Sequence, residues 1–504
     1  MSAPDDSQVH TDAAVIDVGS NSVRLVLYRL EGRALWTVFN EKVLAGLGRD
    51  IGRTGRLSPD GIASALAALT RFGALIEATR PDRVFTAATA AVREAQDGAA
   101  FCAEVEARTG LKLRILSGEE EARYAALGVV AGAPSSRGLV ADLGGASLEL
   151  IRLSASGRSK GVTLPLGPFS IAGAGGFEAD TVRAAVARHV GPIAGGFRAD
   201  TLNAVGGAWR NLALLHMRMS DYPLKIVHQY EMGRREVLDA ARFISRQSRG
   251  SLERIEGISR RRADILPHAA VVLGALVERL GLQKVIFSAF GLREGMLFQA
   301  MKPSLRARDP LIEGCTSMAA WRGAAEGLGL ALERWLAPAF AELDPVFSAR
   351  DPLLLAAACR LADLGARLHP DHRADLIFDQ VLRAPIAGMD HAERVFLACA
   401  AFARHTGSPA SPAPDVVTWL LTPDRLQRAR ALGAAIRLGC ELSGRSPALL
   451  GHSRLEFKAN AVLLQADAYW ETMLLGEQTG KRAATLADLL DRDLKMRAVP
   501  RKGA

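Results

Sequence analysis

The sequence predicts an α/β protein with two duplicated lobes around a central cleft, followed by an all-α carboxyl-terminal domain. A short pattern occurs twice, at Asp17–Ser22 and at Asp142–Ser147: an apolar run, an Asp, a Gly/Ser turn and a second apolar run. Strand-like and helical patterns alternate as far as about residue 305, and strand patterns fade beyond Pro310. The repeat indicates duplication, and duplicated lobes indicate a cleft with a hinge.

Chain length and proline-containing connections set the domain boundaries. The chain has 504 residues, which is too long for a single core. The loop Ala131–Ser136 leads out of the first lobe, and Pro303 and Pro310 close the second. We therefore expect lobes at residues 1–133 and 134–305 and a helical domain at residues 311–504.

The first lobe starts with the first copy of the hairpin and continues with alternating elements. Pro59 stands at a helix start, where its fixed φ and missing N–H are tolerated. The predicted elements are, in order, strands at Ala13–Ile16 and Val23–Leu27, a helix at Pro59–Ala78, a strand at Arg83–Ala87, a helix, a strand at Lys112–Leu116, and a helix from Glu119.

The second lobe repeats the hairpin and then continues with helices and a strand. Its predicted elements are strands at Leu139–Ala141 and Leu148–Ile151, helices near Asp180–Val190 and Ala208–Met219, and a strand at Lys284–Ser288. The Ala, Leu and Arg-rich remainder is expected to be helical, with a break at the Pro/Ser loop Ser408–Pro414.

Composition argues against several classes of protein. The five Cys are scattered without a CxxC pair, so neither a disulfide framework nor a zinc site is predicted. Residues 1–12 are polar and acidic, and no run approaches the roughly 20 apolar residues of a membrane span. We expect a cytoplasmic protein without a signal peptide or a membrane partner.

The charge of the chain is compatible both with an acidic partner and with a soluble Arg-rich protein that has none, but its uneven distribution favours a partner. The formal net charge is +9, and twelve Lys/Arg oppose six Asp/Glu between Val205 and Arg262. Few aromatic side chains accompany these cations, so stacking on nucleic-acid bases is not expected. A polyanion other than nucleic acid is therefore expected to lie along this stretch.

Each hairpin tip is suited to a phosphate group. Glycine allows a close approach of the backbone, and consecutive N–H groups form a nest that binds anions. The Asp before each tip can hold a hard cation that neutralises phosphate charge.

Two strand-to-helix junctions add catalytic candidates. In Glu119-Glu120-Glu121, the first two carboxylates are expected to serve the helix start, beside the caps Ser117 or Gly118. Glu121 can point into the crevice and orient a water for attack on phosphorus. Arg93 lies one turn into another helix and is suited either to bidentate phosphate contact or to a surface ion pair.

The ordered series of motifs resembles the exopolyphosphatase and guanosine pentaphosphatase family of the actin and sugar-kinase superfamily. The stretch around His228–Met232 is most similar to exopolyphosphatases of alphaproteobacteria. The matching motifs, over about residues 13–300, are Asp17-Val-Gly-Ser-Asn-Ser22, Thr89-Ala-Ala-Val-Arg93-Glu-Ala95, Ser117-Gly-Glu-Glu-Glu-Ala-Arg123, Asp142-Leu-Gly-Gly-Ala-Ser-Leu-Glu149, Leu164-Pro-Leu-Gly167, Val205-Gly-Gly-Ala-Trp-Arg210, Arg261-Arg-Ala-Asp264 and Phe290-Gly-Leu-Arg-Glu-Gly295.

This resemblance implies two ribonuclease H-like, actin-like lobes and a role for each matching residue. Glu121 would position the attacking water, and Asp142 and Glu149 would hold magnesium (or manganese) with Asp17 nearby. The terminal phosphoryl group would be bound by Arg93 and by the tip residues Gly19, Ser20, Asn21, Ser22, Gly144, Gly145 and Ser147. The remaining polyphosphate would follow a track of Arg210, Arg261, Arg262 and Arg293.

Four positions depart from the pattern of the family, three in the lobes and one in the helical tail. Ala146 replaces a third Gly, which requires a negative φ there, and Leu148 replaces a Thr. Ala208 replaces a Thr in a turn that touches a nucleoside elsewhere in the superfamily. The helical tail resembles an HD-like domain, but Ala362 replaces the His of the His-Asp pair, and His369, His372 and His391 alone do not predict a metal site.

The resemblance favours magnesium-dependent hydrolysis of inorganic polyphosphate by a homodimer. Three alternatives stay open: the same chemistry on guanosine penta- or tetraphosphate, an ATP-dependent phosphotransferase, and a non-catalytic sensor of polyphosphate or alarmones. Ala208 and Glu121 argue against the phosphotransferase, and the intact set of Glu121, Asp142 and Glu149 argues against the sensor.

Overall fold

A computed structural model of the chain describes residues 10–153, 160–171, 177–255, 263–320 and 325–500. The chain divides into two compact units, residues 1–307 and residues 308–504. The first unit contains two mixed β-sheets with helices, and the second is α-rich. Arg261 and Arg262, two members of the predicted track, lie outside the described residues.

The first unit contains ten described strands in two sheets. They are β1 (Thr11–Val18), β2 (Val23–Glu31), β3 (Ala34–Val43), β4 (Arg83–Ala88), β5 (Leu139–Leu143), β6 (Leu148–Arg152), β7 (Val162–Leu164), β8 (Thr201–Val205), β9 (Tyr230–Gly233) and β10 (Lys284–Phe287). The described helices are α1 (Ile51–Thr54), α2 (Pro59–Thr79), α3 (Ala90–Glu94), α4 (Gly98–Thr109), α5 (Gly118–Gly132), α6 (Pro168–Ile171), α7 (Ala179–Val190), α8 (Gly207–Met219), α9 (Arg234–Ser245), α10 (Arg249–Glu253), α11 (Leu266–Leu280), α12 (Leu292–Ala300) and α13 (Pro303–Arg306).

The first sheet has the strand order β3-β2-β1-β4, in which β1 and β2 form the predicted hairpin and β4 lies parallel to β1. Side chains alternate between its two faces, as the period of two in a strand requires. Ile16 and Val18 pack with α2 and α4 on one face, whereas Val15 packs with α5 and α12 on the other. Both faces of the first sheet are therefore covered by helices.

By length and composition, α2 would pass for a membrane span. Its buried residues, however, recur at helical spacing and include Leu66, Leu69 and Phe72, which pack in the core of the first lobe. Arg71, on another face, pairs with Glu41 at 2.9 Å. The apolar face of α2 thus belongs to the core.

One predicted strand of the first lobe is wrong. In place of a strand at Lys112–Leu116, the chain makes a single bridge between Ile115 and Ala88. The side chain of Thr86 explains the break, because its hydroxyl donates to the Lys112 carbonyl (2.6 Å) and accepts from the Arg114 N–H (3.2 Å). A side chain therefore replaces part of the backbone ladder.

The second sheet has the order β7-β6-β5-β8-β10-β9. β5 and β6 form the second predicted hairpin, and β8 and β10 extend the sheet in parallel. Helix α5 is shared between the sheets, because Ala125 and Val129 pack against Val140 and Ile151 of the second sheet. The amino-terminal end of α5 carries Glu121.

Helices α5 and α12 approach each other at glycines. A methyl group on Gly295 would overlap the carbonyl group of Tyr124, and one on Gly128 would overlap the carbonyl of Gly291. Although α12 follows the second sheet in the chain, Met296 and Leu297 pack in a core of the first sheet. This contact connects the two lobes.

The second unit is α-rich, as predicted, but it is not entirely helical. Its described helices are α14 (Pro310–Ala320), α15 (Leu328–Phe340), α16 (Asp351–Arg360), α17 (Arg373–Arg383), α18 (His391–His405), α19 (Pro414–Leu420), α20 (Pro423–Leu442), α21 (Pro447–Leu450), α22 (Glu471–Leu474) and α23 (Glu477–Leu489). A sheet that the sequence analysis missed is formed by β11 (Ser453–Lys458), β12 (Ala461–Asp467) and β13 (Asp493–Val499).

The residues around the replaced His-Asp pair have structural partners. Asp363 is buried, accepts from the Ala325 N–H at 3.1 Å and pairs with Arg445 at 2.9 Å. His369 and His372 are exposed, whereas His391 is buried at the start of α18. In the described parts of the chain, no three His, Cys, Asp or Glu side chains are arranged to hold a metal ion by themselves.

Candidate active site

The tips of the two hairpins have the same backbone geometry. The Gly19 N–H donates to the Ser22 carbonyl at 2.9 Å, and the Gly144 N–H donates to the Ser147 carbonyl at 2.9 Å. The tips also meet, since a methyl group on Gly145 would lie 3.1 Å from the Ser20 Cβ. The duplication therefore brings two equivalent turns together in one site.

These turns offer backbone donors to an anion. Among the described residues, none accepts a hydrogen bond from the backbone N–H groups of residues 20–22 or 145–147. Ala146 is not among the residues with positive φ, so its side chain fits the turn without backbone strain. Six N–H groups at two touching tips form a nest suited to phosphate oxygens.

The residues across from each Asp differ in charge. In the first hairpin Asp17 lies opposite Arg24, and in the second Asp142 lies opposite Glu149. Directly opposed residues of an antiparallel pair project on the same face. The first hairpin thus has a pair of opposite charges, whereas the second has two carboxylates side by side.

Glu121 projects from the first turn of α5 and is 5% exposed. The Arg93 Nη1 donates to the Glu121 Oε1 and, at 2.7 Å, to the Leu116 carbonyl. The neighbouring Glu120 instead completes a capping box with Ser117, and Glu119 is exposed. The first turn therefore separates the two structural carboxylates from the buried one.

Burial and mutual repulsion raise the pKa of three carboxyl groups in this site. Burial, followed by the charges of Asp142 and Asp17, raises the pKa of Glu121 to about 7, against the opposing effect of Arg93. Burial and Asp17 raise the pKa of Asp142 to about 7. Burial, Glu121 and Asp142 raise the pKa of Glu149 well above its usual value. These three carboxyl groups are called the carboxyl trio below.

Two members of the carboxyl trio, Asp142 and Glu149, lie opposite each other in the second hairpin, and among the described residues they could hold a divalent cation only with further ligands from outside the protein. The Oε1 of Glu149 is buried and has no hydrogen-bond partner among the described residues. A cation would give this oxygen a partner and would relieve the repulsion among the trio. Magnesium is commonly held by one or two carboxylates, with water and phosphate oxygens completing its octahedron. Asp142 and Glu149 are therefore the residues that would hold a magnesium ion in this site.

Arginines cluster around Asp17. Arg293 donates to the Asp17 Oδ2 at 2.9 Å, so this member of the predicted track lies at the base of the first hairpin. Burial and the charges of Arg293 and, more weakly, Arg210 lower the pKa of Arg24 to about 10. Arg24 and Arg293 thus lie beside Asp17, and Arg210 is close enough to Arg24 for its charge to act on it; these three residues are called the arginine trio below.

Two family models match the chain, covering both of its units. The model of the Ppx/GppA phosphatase family matches residues 26–304, and the model of the exopolyphosphatase carboxyl-terminal domain matches residues 322–496. The first match alone covers more than half of the chain. The chain belongs to the Ppx/GppA phosphatase family.

Solved structures agree with this assignment. The crystal structure of the Aquifex aeolicus member of the Ppx/GppA family is 25% identical to this chain, with a TM-score of 0.50. The alignment covers 57% of this chain and 96% of the other. An exopolyphosphatase from Cytophaga hutchinsonii, at 19% identity and a TM-score of 0.53, covers 57% of this chain and 97% of its own and shows the same fold. Family membership identifies an actin-like, two-lobed phosphohydrolase.

Arg24 was not among the predicted site residues of this Ppx/GppA phosphatase. A signal was present in the duplication, because Arg24 follows Asp17 by the same seven positions that separate Glu149 from Asp142. Tyr28 and Glu294 were also missed, and the Tyr28 hydroxyl donates to the Glu294 Oε1 at 2.5 Å. Glu294 in turn accepts from the Gly291 N–H at 2.8 Å, which fixes the start of α12 beside Arg293.

Proposed function

We propose that this protein is an exopolyphosphatase that removes the terminal phosphate of inorganic polyphosphate with the help of magnesium. One observation supports this proposal above all: a buried Glu121, held by Arg93, shares a site with Asp142, Glu149 and two tips rich in N–H donors. Phosphoryl transfer needs positioning and charge neutralisation and little covalent chemistry from the protein.

Each part of the site has a separate task in this proposal. The tip N–H groups and Arg93 bind the oxygens of the terminal phosphoryl group. Glu121, in its ionised form, orients a water molecule so that the water oxygen attacks phosphorus in line with the leaving oxygen. Glu121 accepts the proton that this water releases. Magnesium, held by Asp142 and Glu149, would supply the charge that neutralises the phosphate oxygens.

The arginine trio extends the site toward the rest of the substrate. Asp17 pairs with Arg293, on which the charge of Glu294 also acts, whereas Arg24 is repelled by Arg293 and Arg210 and attracted by Asp17. Arginine binds phosphate through parallel N–H donors. We assign the second and third phosphates of the chain to Arg24, Arg210 and Arg293.

The assignment is tested by the release of orthophosphate from long-chain polyphosphate, guanosine pentaphosphate and ATP in the presence of magnesium. Wild-type protein is expected to act fastest on polyphosphate. Glu121→Gln removes the base with little change in shape, and its kcat should fall by about 10² or more. Glu119→Gln, an exposed change in the same helical turn, is the matched control and should retain full activity.

The outcomes separate the candidate functions. A preference for guanosine pentaphosphate would make the alarmone the substrate of the same site. If the wild-type protein bound polyphosphate but hydrolysed none of the three substrates, it would be a sensor and not an enzyme. If Glu121→Gln and Glu119→Gln turned over equally fast, the assignment of the base would be wrong.

A further inference from the structure

The carbonyl groups of both hairpin tips are hydrogen-bonded from behind. In the first tip, Gly48 donates to the Ser20 carbonyl at 2.8 Å and Gly46 to the Asn21 carbonyl at 3.1 Å. In the second, Phe169 donates to the Gly145 carbonyl at 2.9 Å and Gly167 to the Ala146 carbonyl at 3.0 Å. Residues 44–48 and 164–170, called the backing segments, are therefore equivalent in the two lobes.

These bonds orient the donors of the nest. In a trans peptide the C=O and the following N–H point in opposite directions, because the unit is planar. A carbonyl that is tied to the backing segment therefore turns its peptide N–H the other way. In the second tip, the Ala146 carbonyl and the Ser147 N–H belong to one peptide unit and therefore point in opposite directions. The same holds in the first tip for the Ser20 carbonyl and the Asn21 N–H.

A second peptide unit continues two of these four connections away from the nest, the one from Gly48 to Ser20 and the one from Gly167 to Ala146, which are not at equivalent positions in the two tips. The Leu47 carbonyl, which shares a peptide with the Gly48 N–H, accepts from the backbone N–H of Ser58 at 3.0 Å. The Leu166 carbonyl, which shares a peptide with the Gly167 N–H, accepts from the Nε2 of His268 at 2.9 Å. The chain of peptides behind the first tip thus starts at the backbone N–H of Ser58. The chain behind the second tip starts at the side chain of His268.

His268 is suited to this position. It is 5% exposed at the start of α11, and burial lowers its pKa against the opposing effect of the Leu166 carbonyl, which favours the neutral ring. Its contact with the Leu166 carbonyl requires the proton on Nε2. Hydrogen bonds in such a chain of peptides polarise one another. The hydrogen bond from His268 therefore makes the Ser147 N–H, at the other end of the chain, a stronger donor.

We propose that His268 is a positioning residue for phosphate binding: through the Leu166–Gly167 and Ala146–Ser147 peptides, it orients and polarises the Ser147 N–H at the second tip. The proposal rests on the phosphate site assigned above. It adds to that site a residue that lies two peptide units away from the anion.

The test compares two substitutions at this position. His268→Leu keeps an apolar volume without a donor, whereas His268→Gln retains an amide N–H that can reach the Leu166 carbonyl. Binding of orthophosphate is measured by calorimetry, and hydrogen exchange is followed in peptides that cover residues 143–148 and 18–23. The second peptide is an internal control, because its own chain starts at the backbone of Ser58.

For His268→Leu we expect about tenfold weaker binding of orthophosphate, the size of one lost hydrogen bond, and faster exchange at residues 143–148 alone. For His268→Gln we expect both properties to stay within about twofold of wild type. Unchanged binding in His268→Leu, equal loosening of both tips, or a His268→Gln protein as impaired as His268→Leu would overturn the proposal. None of these readouts depends on hydrolysis of polyphosphate, so they hold even if the substrate is a different phosphate compound.

A second variant covers the case in which His268→Leu does not fold. The exposed Ser170 donates its hydroxyl to the same Ala146 carbonyl at 2.6 Å. Ser170→Ala should weaken orthophosphate binding by about two- to threefold at an unchanged Tm. Binding equal to wild type would show that the orientation of this peptide does not matter, and would overturn the proposal as well.

Discussion

Among the carboxyl trio, Glu149 has the least favourable surroundings for a negative charge. One of its oxygens is buried without a hydrogen-bond partner among the described residues, and Glu121 and Asp142 both repel its charge. A carboxyl group whose pKa is raised by folding favours the folded state only while it can stay protonated. In the unfolded chain, Glu149 ionises above its ordinary pKa of about 4.5, whereas in the metal-free folded protein its ionisation is opposed. The free energy of unfolding of the metal-free protein therefore falls as the pH rises above about 4.5.

Glu149→Gln removes this charge, and we expect the variant to have a higher Tm than wild type in the presence of a chelator. The gap should widen as the pH rises from about 5 to about 8, where the wild-type group is forced to ionise. Magnesium should close or reverse the gap, because the variant loses a ligand. Thermal unfolding with and without magnesium measures this, and a gap that narrows with rising pH would contradict it.

The titration of Glu121 sets the expected pH dependence of activity. A pKa of about 7 means that the base gains its ionised form as the pH rises through neutrality, so kcat should rise over the same range. Arg93 lowers this pKa, and magnesium should lower it further. Arg93→Gln is therefore expected to shift the midpoint of kcat to higher pH and to lower its maximum.

Profiles of kcat between pH 5.5 and 9 for both proteins at saturating magnesium measure this shift. Arg56→Gln, which changes an arginine paired with Asp97 at 3.5 Å, is a suitable control. A midpoint that stays fixed in Arg93→Gln would mean that another group controls the rate.

At the scale of secondary-structure elements, the contact between α5 and α12 depends on glycine. A Cβ on Gly295 would overlap the Tyr124 carbonyl, so the two helices must separate or the substitution must strain the backbone. We expect Gly295→Ala to destabilise the first unit by about 2 to 4 kcal/mol. Gly250→Ala is the control, since a Cβ at Gly250 meets nothing within 4 Å. Denaturant unfolding of both variants measures the difference, and equal stabilities would contradict the packing argument.

Local patterns predicted most elements of the first unit, because each depends on residues adjacent in the chain. The strand expected at Lys112–Leu116 was wrong for a non-local reason: Thr86, from another strand, takes over its hydrogen bonds. The sheet of the second unit was missed although Leu455 and Phe457 alternate with exposed residues, since six residues in an Ala/Leu-rich region give a weak signal.

For the site, the sequence predicted the motifs but not how their charges are paired. The resemblance named Arg293 as part of a track, and only the fold brings it within 2.9 Å of Asp17, 276 positions earlier in the chain. The part played by His268 also depends on a contact with a residue 102 positions away. Such contacts have no local pattern, so they could not be predicted from the residues around each motif.

At the scale of the whole molecule, the described site residues all belong to the first unit. The match to the Ppx/GppA phosphatase family model ends at residue 304, close to the end of this unit. We expect a fragment of residues 1–307 to fold and to hydrolyse short polyphosphate with a kcat within about tenfold of the full chain. Far-ultraviolet circular dichroism and orthophosphate release measure this. An unfolded or inactive fragment would show that the second unit is needed for catalysis.

The two hairpins share a backbone but differ in the charge opposite the Asp, and this difference bears on the order in which ligands bind. In the first hairpin, Arg24 and Arg293 neutralise the charge of Asp17. Phosphate binding at this hairpin should therefore not require a metal ion. Under the proposed function, the second hairpin, with Asp142 beside Glu149, would repel phosphate until a cation binds. The metal should therefore bind before the substrate, and product phosphate should dissociate readily from an enzyme that has lost its metal.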